Sequence, residues 1–96
     1  MLVVVTYDVN TETGEGKARL RKVAKKCMAY GQRVQNSVFE CLLDEAQLVA
    51  FQTELVTLIN PETDSLRFYK LGNQYKNKIN HFGVQLDYPQ DEILII

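Results

Sequence analysis

The chain has 96 residues, 46% hydrophobic and 24% charged, proportions of an ordinary globular protein that exclude general disorder and suffice for one domain with one core. Its apolar runs are too short to span a bilayer, which takes about 20 apolar residues in a helix. The net charge of −1 alone would argue against a polyanionic partner, but seven of the eleven basic residues (Lys17, Arg19, Arg21, Lys22, Lys25, Lys26 and Arg33) fall in one stretch, with no acidic residue before Glu40. Charge sorted in this way argues for such a partner.

Residues 2–8, LVVVTYD, form a β-branched, nearly continuous apolar run that predicts a central, buried first strand. No basic segment precedes that run and an Asp follows it, so it reads as a strand rather than a signal peptide. Val9 to Gly16 is rich in Asn, Thr and Gly and predicts a loop; its Gly14-x-Gly16 is too short to count as a phosphate-binding motif. Residues 17–30 predict a helix, with Leu20, Val23, Ala24 and Cys27 on one apolar face. Lys17, Arg21 and Lys25 lie on another face with Lys22 and Lys26 beside them, and Gly31 sits where a helix C-cap is expected.

Residues 33–43 predict two strand pieces joined near Asn36 and Ser37, by a tight turn or a bulge. Asp44 and Gln47 match a capping box before a second helix with Leu48, Phe51, Leu55 and Leu58 as its core stripe, ended by Asn60-Pro61. Residues 65–71 predict a strand of imperfect alternation, with Leu66, Phe68 and Lys70 on one side and Arg67, Tyr69 and Leu71 on the other. A short strand is expected around Phe82 to Leu86. The order β-α-β-β-α-β predicts an α+β, ferredoxin-like sandwich, one domain over residues 1–96. The last residues, EILII, would be an exposed apolar edge. Residues 87–96 are therefore expected to act as a dimerisation tail, an extra C-terminal strand that pairs across a homodimer; the alternative is that the tail folds back on its own sheet. Cys27 and Cys41 lack metal or redox spacing and read as two buried thiols, a usage suited to a reducing cytoplasm.

Asp8 ends the first strand and so stands at the rim of the sheet. A carboxylate there either caps the following loop or ligates a metal. Magnesium is commonly held by one or two carboxylates, with waters and substrate phosphates completing its shell, so two copies of Asp8 across a two-fold axis would make a site that polarises a phosphate and activates water. The basic helix is either a solvated face or a phosphate-binding one; Arg19, Arg21 and Arg33 carry guanidinium groups that match phosphate bidentately, with Lys22 and Lys25 alongside. Tyr7, Phe39 and Tyr69 are candidates for stacking on bases or sugars, Phe39 being more simply a core or interface residue. His81, the single histidine, is a candidate general base and more ordinarily a surface residue.

The strand ending in Tyr7-Asp8, the helix with Arg19 and Arg21, the block Arg33-Val34-Gln35-Asn36-Ser37-Val38-Phe39-Glu40 and the strand Arg67 to Leu71 together resemble the small CRISPR-associated endonuclease family, the second near-universal adaptation protein and partner of the CRISPR integrase. The resemblance runs over most of the chain. It implies a ferredoxin-like homodimer that exchanges C-terminal strands, and a metal, Mg²⁺ or Mn²⁺, held by the Asp8 pair. It implies Tyr7, Arg19, Arg21, Arg33 and Phe39 at or near the site. The implied activity is metal-dependent cleavage of single-stranded RNA or double-stranded DNA in spacer acquisition for antiviral defence. The resemblance equally implies a non-catalytic scaffold that binds DNA and bridges integrase subunits.

Overall fold

The computed structural model describes residues 1–84. β1 (Leu2–Asp8) occupies the middle of a four-stranded antiparallel sheet, as its β-branched run demands. Val3, Val5 and Tyr7 point to the helix layer and are buried, while Val4 and Thr6 face the other side, Val4 being half-buried.

α1 (Gly14–Tyr30) begins three residues before the predicted start at Lys17, because Thr13 caps it: its Oγ1 accepts a hydrogen bond from Gly16 N at 3.0 Å. The two glycines assigned to the loop therefore lie in the first helical turn. Gly16 is required there by closeness. A Cβ would run into the Asn10 carbonyl oxygen and come within 3.3 Å of Thr11 Cα, so its absence lets the chain leaving β1 cross the start of the helix. The predicted apolar face of Leu20, Val23, Ala24 and Cys27 is buried.

Gly31 closes α1, its N–H donating to Cys27 O at 2.9 Å, but not in the left-handed conformation expected of a C-cap glycine. Its backbone is extended, at φ −163° and ψ −162°, which any residue adopts. Its smallness serves packing: a Cβ would press on the Cys41 thiol and lie 2.5 Å from Glu40 O and 2.9 Å from Cys41 Cα.

β2 (Gln32–Gln35) and β3 (Val38–Leu42) are joined at Asn36–Ser37 by a tight turn, and their register also shifts between Arg33 and Gln35, so turn and bulge both occur. Asp44 and Gln47 form the predicted capping box at the start of α2 (Glu45–Leu58). Leu48, Phe51 and Leu55 are buried, and Leu58 is half-buried against the same core. β4 (Ser65–Gly72) pairs with β1 through a register shift between Leu2 and Val3. Leu66, Phe68 and Lys70 keep one side in register with Tyr7, Val5 and Val3, Lys70 being exposed, and the extra residue at the shift, Leu71, is half-buried.

The strand order β2-β3-β1-β4, with both helices on one face, is the ferredoxin-like α+β arrangement. Tyr30 ties the helices together. Its ring stacks on Phe51 at 4.3 Å, its hydroxyl donates to Glu54 Oε2 at 2.8 Å, and Phe51 meets Phe68 edge-on at 5.8 Å. Cys27 and Cys41 are buried free thiols. A short 3₁₀ turn follows at Lys76–Lys78. Phe82 to Val84 form no strand; the rest of that predicted strand and the tail at 87–96 lie outside the described residues. No helix among the described residues is long and apolar enough to cross a membrane.

The packing at Gly31 makes a direct prediction. Gly31→Ala adds one carbon against backbone atoms that cannot rotate away, and overpacking of this kind costs about 1–3 kcal/mol. Urea denaturation should show a lowered midpoint with an unchanged slope; an unchanged midpoint would mean that β3 and the end of α1 separate without cost.

Candidate functional site

Antiparallel pairing brings three connections to one end of the sheet: the loop from β1 into the start of α1, the Asn36–Ser37 turn, and the turn from α2 into β4. Asp8 stands at this end, paired in register with Ser65, and is exposed. No three His, Cys, Asp or Glu side chains among the described residues come together as a metal cage. Asp8 thus offers its carboxylate outside any cage of three or more such ligands. That donor set does not fit a closed structural site, but it does fit Mg²⁺ or Mn²⁺, hard cations that keep waters and share carboxylates with substrate phosphates.

The basic stretch divides into three parts. Lys17, Arg21, Lys22 and Lys25 are exposed along α1 and make no ion pair among the described residues. Lys26 lies 3.8 Å from Glu54 Oε2 of α2. Arg19 and Arg33 are engaged in the fold. Arg19, expected on phosphate, is turned inward: its Nε donates to Asp64 Oδ2 at 2.9 Å and its Nη2 approaches Thr63 Oγ1 and Asp64 Oδ1, each at 3.5 Å.

Tyr7, Arg33 and Phe39, also expected at the nucleic acid, form a packed cluster instead. Phe39 is 0% exposed, Arg33 4% and Tyr7 5%. The rings of Tyr7 and Phe39 stack at 6.2 Å, and the Arg33 guanidinium sits 5.1 Å from the Phe39 ring centre, a cation–π contact that offsets part of the cost of burying the charge. None of the three presents a face on which a base or phosphate can rest. The reason is strand alternation, which turns positions 7, 33 and 39 toward the helices. Tyr7 Oη donates to Asn36 O at 3.4 Å, and Tyr7 N donates to Ser37 O at 3.2 Å, so the cluster holds the β2–β3 turn against β1. Burial pushes the Tyr7 phenol up to about 12, with Cys27 adding to the rise and Arg33 and Ser37 opposing it; it stays protonated at neutral pH and is no general base.

Tyr69 is exposed on the open sheet face, its hydroxyl accepting from Arg67 Nη1 at 3.0 Å. His81 Nε2 lies at 3.0 Å, hydrogen-bond distance, from Gly83 O, and the ring lines a hollow between residues 79–84 and the outer side of β2 and β3.

Sequence reasoning missed Asp64. Its side chain is fully buried and surrounded by donors. Oδ1 accepts from Asn10 N at 3.0 Å, from Thr63 Oγ1 at 3.0 Å and from Arg19 Nη2 at 3.5 Å; Oδ2 accepts from Arg19 Nε at 2.9 Å and from Asn60 N at 2.8 Å. Burial alone would raise its pKa, but the hydrogen bonds from Arg19, Asn60, Asn10 and Thr63 outweigh that and hold it at about 2. No local signal marks it: Asp64 and Arg19 lie 45 positions apart.

The geometry and the motif block agree with a family comparison. The profile described as CRISPR associated protein Cas2 matches residues 1–79. The chain belongs to the Cas2 family. A CRISPR-associated endonuclease Cas2 from Halalkalibacterium halodurans is 55% identical over 95 residues, 99% of each chain. A CRISPR-associated endoribonuclease Cas2 from Chlorobaculum tepidum is 54% identical over 85 residues, 88% of each. The crystal structure of Streptococcus pyogenes Cas2 superposes with a TM-score of 0.76 at 53% identity, covering 86% of this chain and all of that one.

The Asp64 cluster makes the stability of this Cas2 chain acid-sensitive. A carboxyl held at about 2, against about 3.9 when unfolded, contributes stability that is fully present above the unfolded value and is lost as pH falls toward 2. Urea midpoints measured from pH 5 down to pH 2 should fall more steeply for the wild type than for Asp64→Asn; parallel curves would show that the carboxylate is not held in its charged form.

Proposed function

We propose that this Cas2 chain is a metal-dependent endonuclease that works as a homodimer in spacer acquisition, with Asp8 as the metal ligand contributed by each subunit. The observation that carries the reading is the exposed carboxylate at the rim of the sheet in a chain whose relatives are named endonuclease and endoribonuclease. The metal, Mg²⁺ or Mn²⁺, supplies Lewis-acid stabilisation of the phosphate and a more acidic water. Asp8 binds and orients that metal. Lys17, Arg21, Lys22 and Lys25 hold the phosphate backbone by charge, without reading bases.

The homodimer would bring a second copy of Asp8 to the site. The outer face of the sheet supports it: Leu42 on β3 is 64% exposed and Tyr69 on β4 45%, with half-buried Val4 of β1 between their strands. This is an apolar surface that a second sheet would cover.

A second reading is a non-catalytic scaffold that binds DNA and bridges integrase subunits during integration. It is favoured by the cation strip on α1, which is exposed and needs no metal.

One experiment separates the two. Purified protein is incubated with labelled double-stranded DNA and single-stranded RNA in Mg²⁺, Mn²⁺ or chelator, beside Asp8→Ala and the double variant Lys22→Glu/Lys25→Glu. On the enzyme reading, cleavage needs metal and disappears in Asp8→Ala, while nucleic-acid binding by that variant persists. The double variant weakens binding on either reading and lowers the salt slope by about one for each phosphate it no longer neutralises. No cleavage in either metal would remove the enzyme reading, cleavage undiminished in Asp8→Ala would remove Asp8 as its metal ligand, and unchanged affinity in the double variant would remove the strip from both readings.

A further inference from the structure

The chain just beyond Asp8 is pinned by one carboxylate that also adjoins the strand beside it. Asn10, two residues downstream, donates its backbone N–H to Asp64 Oδ1 at 3.0 Å. Ser65, the register partner of Asp8 on β4, directly follows Asp64. The same carboxylate accepts from Asn60 N at 2.8 Å and from Arg19 Nε at 2.9 Å. It therefore joins the exit of β1, the body of α1 and the entry to β4 at a single buried point. Asp8 itself is the last residue of its strand and is exposed, a position where a strand frays unless something holds it.

We infer that Asp64 is a positioning residue for Asp8, and that Arg19 acts through Asp64 rather than on phosphate. The inference rests on the reading of Asp8 as metal ligand and deepens it. Metal sites require their ligands to be held within about 0.5 Å of the productive position, and an exposed side chain on a strand end cannot meet that demand unless its backbone is fixed. Asp64 supplies the fixing, and Arg19 keeps Asp64 ionised and in place. Gly16 completes the arrangement by letting the Asn10 segment lie close over α1. Arg19 has most of its hydrogen-bonding capacity turned inward, with 21% of its side chain exposed.

The test compares wild type, Asp64→Asn, Arg19→Lys, Asp8→Ala and Glu62→Gln, the last removing an exposed charge from the same turn. Three quantities are measured: the Mn²⁺ concentration that broadens the amide signals of residues 8–10 without nucleic acid, the Mn²⁺ dependence of cleavage, and the urea midpoint. Asp64→Asn should need about 10- to 100-fold more Mn²⁺ in both metal readouts, the range found when the outer partners of metal ligands are altered. Arg19→Lys should move in the same direction by less, with nucleic-acid affinity at saturating metal unchanged, and Glu62→Gln should match the wild type.

If Asp64→Asn lowers only the urea midpoint and titrates with Mn²⁺ as the wild type does, Asp64 is structural alone and the inference fails. If Arg19→Lys weakens nucleic-acid binding while Asp64→Asn does not, Arg19 is a phosphate ligand and the inference fails on that side. Should Asp64→Asn not fold, Arg19→Lys carries the metal comparison, since it leaves the carboxylate and its backbone partners intact. Broadening and cleavage that persist in Asp8→Ala would overturn the parent reading instead, a result separable from all of these because it appears in a variant whose Asp64 is unaltered.

Discussion

β1 has a strand bonded along each edge and a helix layer over one face, and the molecule is organised by that requirement. A run of β-branched residues such as Val3–Thr6 is stable in water only when its backbone is paired on both sides and its inward side chains are covered. β3 and β4 supply the pairing. Leu20, Val23, Cys27, Leu48, Phe51 and Leu55 supply the cover from the two helices. Because both neighbours run antiparallel to β1, its C-terminal end meets the beginnings of β3 and β4. The rim carrying Asp8 is in this way a consequence of pairing, not of any local preference at residue 8.

The most distinctive block of the sequence, Arg33 to Glu40, has a different use from the one its chemistry suggests. Guanidinium and aromatic groups are the means by which many proteins bind nucleic acid, but alternation along β2 and β3 decides otherwise here. Arg33 and Phe39 point inward and, with Tyr7, set the position of the Asn36–Ser37 turn. A buried arginine is costly, and in this fold the Phe39 ring lies under it.

Charge is partitioned by the same logic. Of the basic residues clustered between positions 17 and 33, those on the outer side of α1 remain exposed, while Arg19 and Lys26 are drawn to carboxylates on the α2–β4 side of the molecule. Both partners, Asp64 and Glu54, belong to the less basic second half of the chain, so folding converts sequence segregation of charge into cross-links between halves. What is left outward is a narrower strip, one helix face wide.

Much of this was legible in the sequence. Periodicity and capping chemistry determined both helices, and Asp44 with Gln47 marked the start of the second because a capping box is satisfied within four residues. The apolar run determined a central β1, and the element order determined the ferredoxin-like topology, since two β-α-β units in succession leave both helices on one face of an antiparallel sheet. The exposure of Asp8, Lys22 and Lys25 followed from strand end and helix face. Tertiary structure alone decided which arginines serve the fold, why Gly31 must be small, and that Asp64 is the joint of the Asp8 rim. Two of those depend on groups that meet only after the chain has closed on itself, Arg19 with Asp64 and Gly31 with Cys41. Sequence patterns report local geometry, whereas the fate of a buried charge is set by whichever distant partner the fold brings within about 3 Å.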